Sequence, residues 1–285
     1  MIQVMMFPGQ GGQHVGMGAD LFERFPDLVR EAHDVLGFPV ADLCLTGPQE
    51  RLDHTGNAQP ALFLVHALAH RAALARGARP DVLIGHSFGE YNALEAAGAL
   101  SFADALHLVR ARAQATSRTP GAMTAVVGLT GRQLTAALAA DGIADVYVSN
   151  YNDPRQLVLA GLAPALERAE TALERAGARL VRRLNVTGPF HSPLMREAAE
   201  QFAPAVARAR FRTPRVPVIA NTTARPHTVR SLPRHLVAHV HTPVLWRQSL
   251  ELLLRTDRPQ FTQIGGGHGL IRTVEEVRLR GATVD

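Results

Sequence analysis

The sequence predicts an α/β fold in two parts. A large domain over residues 1–120 and 188–285 is built on a parallel sheet, and a smaller domain over 121–187 is inserted into it. Three observations carry this expectation. Short apolar runs alternate with longer helical stretches along the 285 residues, the pattern of strands joined by crossover helices. One segment departs from that pattern as strand, helix, strand, strand, helix, strand, which is the order of a ferredoxin-like unit. The composition, 46% hydrophobic against 19% charged, suits an ordinary globular core and excludes disordered and collagen-like chains.

Taken in order, Ile2 to Phe7 is a short apolar strand ended by the glycine-rich turn Pro8-Gly9-Gln10-Gly11-Gly12-Gln13. Pro60 to Arg76 has the apolar density and length of a buried helix. Asp81 to Ile84 is a second strand, and after Gly85-His86-Ser87-Phe88-Gly89 the stretches Glu90 to Ala97 and Phe102 to Thr116 are helical. The inserted unit reads as strands at Ala122 to Leu129, Asp145 to Asn150, Gln156 to Ala160 and Arg179 to Val186, with helices at Gly131 to Ala140 and Ala163 to Ala176. From Gly188 the chain returns to a helix and then a strand at Val216 to Ala220. The cleft is expected between the two domains.

Partners are bounded by charge. There is no lysine, so all 30 basic side chains are arginine, against 25 acids. They are dispersed, aromatic residues are only 5%, and no nucleic-acid signature is present, so nucleic acid is not expected. No apolar stretch reaches the ~18 residues of a membrane span. Met1 to Phe7 lacks the basic lead of an export signal. A single cysteine, Cys44, suits a reducing cytoplasm and reads as a small buried hydrophobe.

The chemistry concentrates at Gly85-His86-Ser87-Phe88-Gly89, a G-x-S-x-G nucleophile elbow with a strand before it and a helix after it. Glycines at both ends let the backbone turn sharply and hold the hydroxyl out of the sheet, so the large domain is expected to be α/β-hydrolase-like. His86 is expected behind the elbow, because successive strand side chains alternate sides. His191, in Gly188-Pro189-Phe190-His191-Ser192-Pro193, is the better base. Ser192 is expected to cap and Pro193 to open the next helix, whose positive end favours a neutral imidazole. His66 and His70 share a helix face without the glutamate of H-E-x-x-H, so no metal is expected. His235, His239 and His241 read as structural. Gly9 to Gln13 is not G-x-G-x-x-G, and Gly265-Gly266-Gly267-His268-Gly269 reads as a close-packed turn.

Together these residues resemble the malonyl-CoA:acyl-carrier-protein transacylase family over almost the whole chain. Four stretches carry the likeness: Phe7-Pro8-Gly9-Gln10-Gly11, Gly85 to Tyr91, Gly188 to Ser192, and Pro243-Val244-Leu245-Trp246. The resemblance implies Ser87 as the acylated nucleophile and His191 as its base. It further implies an oxyanion hole from the backbone N–H groups of Gln10 and Phe88, and a carbonyl at His239 that orients the base. Arg112 matches the arginine that grips the malonyl carboxylate, where spacing alone would suggest a solvated helix residue. Phe190 matches the malonyl-selective members, its ring crowding branched acyl groups.

The partners implied are malonyl-CoA and the phosphopantetheine arm of an acyl carrier protein, with no metal or redox cofactor. The Glu90-Tyr91-Asn92-Ala93-Leu94 continuation resembles free-standing acyltransferases of polyketide assembly more than those of fatty-acid synthesis. Phe88, Pro189, Gly12 and Thr116 depart from the commonest family residues, and His239 stands in place of a glutamine. A conventional triad would want an acid from Asp104, Asp141, Asp145 or Asp153, none of which has a motif around it. The rivals are an editing hydrolase that uses the same Ser87 and His191, and an inactive docking module for carrier proteins.

Overall fold

The computed structural model describes residues 1–280. Eight strands form two sheets: β1 Gln3–Phe7, β2 Val82–Gly85, β3 Ala122–Val127, β4 Val146–Asp153, β5 Gln156–Gly161, β6 Leu180–Arg183, β7 Val218–Ile219 and β8 Gln260–Gln263. The first sheet has the order β7-β2-β1-β8 and is parallel throughout. The second has the order β4-β5-β3-β6 and is antiparallel, the strand order of a ferredoxin-like sheet.

Strand alternation distributes the core. In β1, Val4 and Met6 join a cluster with Ile84, Ile219 and Trp246, while Met5 and Phe7 join the opposite cluster with Phe63, Leu68 and Leu106. Both faces of a parallel sheet must be covered, and β1 accordingly buries both. In β5, Leu157 and Leu159 pack on the two helices of the small sheet, Gly131–Ala140 and Ala163–Arg175, and Val158 and Ala160 turn toward the core of the large unit. Thr130 and Gln133 form a reciprocal capping box at the start of the first of these helices, which sets where it begins.

The chain enters and leaves the small sheet at one neck, where the Gly188 N–H donates to the Gly121 carbonyl at 3.1 Å. A Cβ on Gly121 would meet Pro189 at 2.7 Å, so only glycine allows this approach. Farther along, Val244 donates to the Ser149 carbonyl at 2.9 Å and Tyr151 donates to the Val244 carbonyl at 3.0 Å, tying β4 to the large unit.

Several expected boundaries move. The helix read from Pro60 starts at Thr55 and carries Pro60 inside it. The expected Arg179 to Val186 strand shortens to β6, and Val216 to Ala220 shortens to the two residues of β7, which are flanked by Pro217 and by the turn at Ala220. Ser192 does not cap: its hydroxyl donates to the Pro189 carbonyl at 2.6 Å, and Pro193–Met195 forms a 3₁₀ turn ahead of the helix Arg196–Arg208. Among the described residues no helix is long and apolar enough to cross a membrane.

Candidate active site

Ser87 stands at the carboxyl end of β2, between that strand and the helix Gly89–Ala96, with φ 53°. A non-glycine residue in this left-handed region is strained and persists only where its surroundings hold it. The flanking glycines explain how the turn fits. A Cβ on Gly85 would lie 2.1 Å from the backbone of Gly89, and one on Gly89 would lie 2.5 Å from the Phe7 carbonyl. The elbow is therefore pressed directly against the end of β1.

His191 is the second strained residue, with φ 59°. Its Nε2 lies 2.7 Å from Ser87 Oγ and its Nδ1 lies 2.7 Å from the His239 carbonyl oxygen. A carbonyl can only accept, so Nδ1 carries the proton and Nε2 is left to accept from the serine hydroxyl. The His239 ring lies against that of His191, with centroids 4.7 Å apart. Burial holds the His191 imidazole down at about 3, with the Arg112 charge adding to the effect. Desolvation and a neighbouring cation, rather than a helix end, account for its neutrality. None of the four candidate aspartates completes the pair: Asp104 caps with Ser101, Asp141 pairs with Arg175, Asp145 pairs with Arg168, and Asp153 accepts from the Arg155 N–H.

Arg112 comes from the helix Phe102–Thr116, whose start is capped by the Ser101 hydroxyl. Spacing alone suggested a solvated side chain, yet it is 2% exposed. One guanidinium nitrogen donates to Gln59 Oε1 at 2.7 Å, another lies 3.5 Å from Ser87 Oγ, and Nε has no partner among the described residues. Burial lowers its pKa, while Tyr91 and then Glu90 act in the opposite direction. A buried guanidinium with no paired carboxylate is costly, and here it points at the serine.

These groups share one cleft of about 260 Å³, lined by Gln10, Ser87, Phe88, Arg112, Phe190 and His191 on one side and by β3, β4, β5 and Arg182 on the other. Among the described residues, neither the Gln10 nor the Phe88 backbone N–H donates to another backbone group. His86 keeps the face of Ile84, as alternation predicts: its N–H continues the ladder to the Phe7 carbonyl at 2.9 Å and its ring packs edge-on against Trp246, in the same cluster as Ile84. It also lines the cleft, its Nε2 lying 2.8 Å from Asn152 Oδ1 of the small sheet, a contact across the chain that alternation does not disclose.

The other histidines and the Gly265–Gly269 turn do not line the cleft. A larger cavity of about 680 Å³ lies on the far side of the Pro8–Gly9 turn, beside His66 and Gly265. Among the described residues no cluster of His, Cys, Asp or Glu could hold a metal, and burial raises the Cys44 thiol to about 12. His235 faces His227. A Cβ on Gly265 would meet the His66 ring at 2.9 Å, as a close-packed turn requires.

Sequence reasoning missed four polar residues that shape the site: Gln59, Glu90, Asn152 and Asn221. Asn221 accepts from the Ser87 N–H at 2.9 Å, and Glu90, fully buried, accepts from the Asn221 N–H at 2.9 Å and from His227 Nε2 at 2.7 Å. No motif surrounds Gln59, Asn152 or Asn221, Glu90 stands in the Gly85 to Tyr91 stretch without anything there to disclose its role, and the partners of all four are distant along the chain.

A parallel sheet presenting an elbow serine to a carbonyl-held imidazole, with an antiparallel insertion closing the cleft, defines an acyl-group enzyme of the α/β type. More particularly, the chain belongs to the acyl transferase domain family, whose model matches residues 4–262. It is 38% identical over 276 residues to the polyketide biosynthesis malonyl CoA-acyl carrier protein transacylase BaeC of Bacillus velezensis, covering 96% of each chain. It is 40% identical to the polyketide biosynthesis protein ThaF of Burkholderia thailandensis, but spans only 23% of that longer protein. The crystal structure of malonyl CoA-acyl carrier protein transacylase from Burkholderia pseudomallei superposes with a TM-score of 0.94 at 40% identity, covering 98% of this chain and 99% of that one.

Proposed function

We propose that the protein transfers a malonyl group from malonyl-CoA, through an acyl-enzyme on Ser87, to the phosphopantetheine thiol of an acyl carrier protein in polyketide biosynthesis. The observation that carries the substrate choice is Arg112, a buried guanidinium without a carboxylate partner among the described residues, 3.5 Å from Ser87 Oγ. A free carboxylate on the acyl group supplies the missing anion. Charged hydrogen bonds of this kind are worth about 1.5 to 3 kcal/mol, roughly a 10- to 150-fold preference over an uncharged acetyl group.

Ser87 Oγ attacks the thioester carbonyl while its proton passes to His191 Nε2. The negative charge that develops on the carbonyl oxygen is met by the Gln10 and Phe88 N–H groups. Collapse of the tetrahedral intermediate breaks the C–S bond, and His191 returns the proton to the departing coenzyme A thiolate. The carrier-protein thiol then enters by the same route in reverse, giving its proton to His191 and taking the malonyl group. No cofactor enters these steps.

The backbone carbonyl of His239 keeps the base in the required tautomer, a role that any residue at 239 could fill. Phe190, buried beside the base, limits space next to the acyl α-carbon and so disfavours branched acyl groups. Residues 1–120 and 188–285 serve as the catalytic domain and 121–187 as a subdomain that completes the cleft. The same reading places the protein in the cytoplasm, where a free Cys44 and coenzyme A thioesters are compatible.

Intact-mass analysis after incubation with malonyl-CoA and then with a carrier protein bearing a free phosphopantetheine thiol tests the proposal. A malonyl adduct on Ser87 that persists until the carrier protein is added is expected. Rapid loss of the adduct to water alone would make the enzyme a hydrolase, and failure of any adduct to form would leave a docking module.

A further inference from the structure

Asn221 follows β7 and is 1% exposed. Every polar group it has is used. Its Oδ1 accepts the Ser87 N–H at 2.9 Å, and its Nδ2 donates to the Gly85 carbonyl at 2.6 Å. Its own N–H donates to Glu90 Oε2 at 2.9 Å, and its carbonyl accepts from the Leu245 N–H at 2.8 Å.

One carboxamide thus grips the backbone on both sides of His86, immediately before the strained Ser87. Glu90, three residues beyond Ser87, holds Asn221 in turn, and His227 holds the other oxygen of Glu90 at 2.7 Å. All of these partners lie 131 to 137 residues apart in the chain, so the elbow that the flanking glycines permit is held from outside its local sequence, by the residue that follows the neighbouring strand.

We infer that Asn221, anchored by Glu90, is a positioning residue that keeps the strained elbow in the conformation aiming Ser87 Oγ at His191. A strained φ/ψ persists only when the surroundings over-determine it, and two opposed hydrogen bonds from one rigid amide do so. A second consequence concerns charge stabilisation. The Ser87 amide is occupied by Asn221, so donors to a developing oxyanion must come from Phe88 and the facing loop. The inference rests on Ser87 being the nucleophile.

Rapid-quench intact-mass measurement of Ser87 acylation by malonyl-CoA tests it, with rates counted per molecule that retains native near-UV circular dichroism. Asn221→Ala is expected to lower the saturating acylation rate roughly 100-fold, the cost of about 1 Å of misplacement. The half-saturating concentration should stay within about twofold, because substrate binding is untouched. A purely structural residue would reduce the folded fraction and leave that rate unchanged; a saturating rate within about threefold of the parent overturns the inference.

Should Asn221→Ala not fold, amide hydrogen exchange in the parent protein decides: a Ser87 amide much slower than that of Phe88 supports the inference, and equal exchange overturns it. Ser87→Ala run in parallel separates two failures. Acylation persisting in that variant sinks the nucleophile reading itself. An unacylated Ser87→Ala beside a fully active Asn221→Ala removes only the role of Asn221.

Discussion

The two sheets border one cleft and contribute to it differently. On the proposed mechanism the large unit supplies the reacting groups, His191 and Arg112 buried and Ser87 half-buried, each pinned by partners far away in the chain: Ser87 to His191, Ser87 to Asn221, Arg112 to Gln59. The small sheet supplies a wall, and its ion pairs are half-exposed links on its own surface: Arg168 with Asp145, Arg175 with Asp141, Arg183 with Glu170. On that mechanism chemistry depends on the geometry of the large unit, which tolerates little change, whereas the small sheet walls the cleft and joins the main core through Met123, Val158 and Ala160.

The strongest way to break this comparison is to substitute across the cleft. Ser87→Ala and His191→Ala are each expected to reduce malonyl transfer roughly a thousandfold or more, measured in steady state with saturating carrier protein. A loss of the same size from Asn152→Ala, on the small sheet, would show that the wall takes part in the chemistry. Next in size, Arg112→Ala should reduce the malonyl-over-acetyl ratio roughly 10- to 150-fold while acetyl transfer holds or rises. An unchanged ratio in competition assays takes Arg112 out of the acyl site.

Acid sharpens the contrast further, because residues 121–187 contain no histidine and the buried ones all belong to the large unit. Burial depresses His66 and His70 to about 4 and His191 to about 3, from 6.5. Between those values and 6.5 the unfolded chain binds more protons than the folded one, so the stability present above pH 6.5 is lost as pH falls. Each group should cost about 2 kcal/mol by pH ~5, read from urea midpoints at pH ~7.5 and ~5. A midpoint that does not move would contradict the burial of these rings. In the molecules that remain folded, His191 stays unprotonated, so Ser87 acylation should hold its rate down to pH ~5.5, where a solvated histidine would have lost about tenfold.

The smallest effects separate neighbours on β6. Arg182 is exposed at the cleft mouth, and Arg182→Ala should raise KM a few-fold, less at high salt, with kcat unchanged. Arg183 is paired with Glu170, and Arg183→Ala should cost only about 0 to 1 kcal/mol of stability and leave kinetics alone.

What the sequence disclosed was local or periodic. Gly85 to Gly89 carries its own strand, turn and helix, and the alternation in β1 and β5 marks the buried faces. Arg112 became legible only through resemblance, since nothing in Leu108 to Arg112 says which way that helix turns its charge. Asn221 left no signal, because an amide that grips a backbone from another strand needs no motif around it, and Glu90 was visible in the Gly85 to Tyr91 stretch but not its partner. The reading of His86 gave its face but not its reach: alternation puts the ring with Ile84 and Trp246, and says nothing of Asn152 on another sheet. Ser192 was misassigned because a hydroxyl before a proline suits a cap equally well as a bond back to the Pro189 carbonyl.

The neck at Gly121 and Gly188 has an evolutionary and engineering consequence. A segment whose two ends meet through a single hydrogen bond is, for the rest of the chain, a loop closed at a point. Residues 122–187 can therefore be exchanged as a cassette between related enzymes at two fixed splice points, with Gly121 kept to admit Pro189 and the inward face of β4 and β5 kept to meet Val244, His86 and the main core. Such chimaeras would carry a new wall to the cleft while the elbow and its base remain in register.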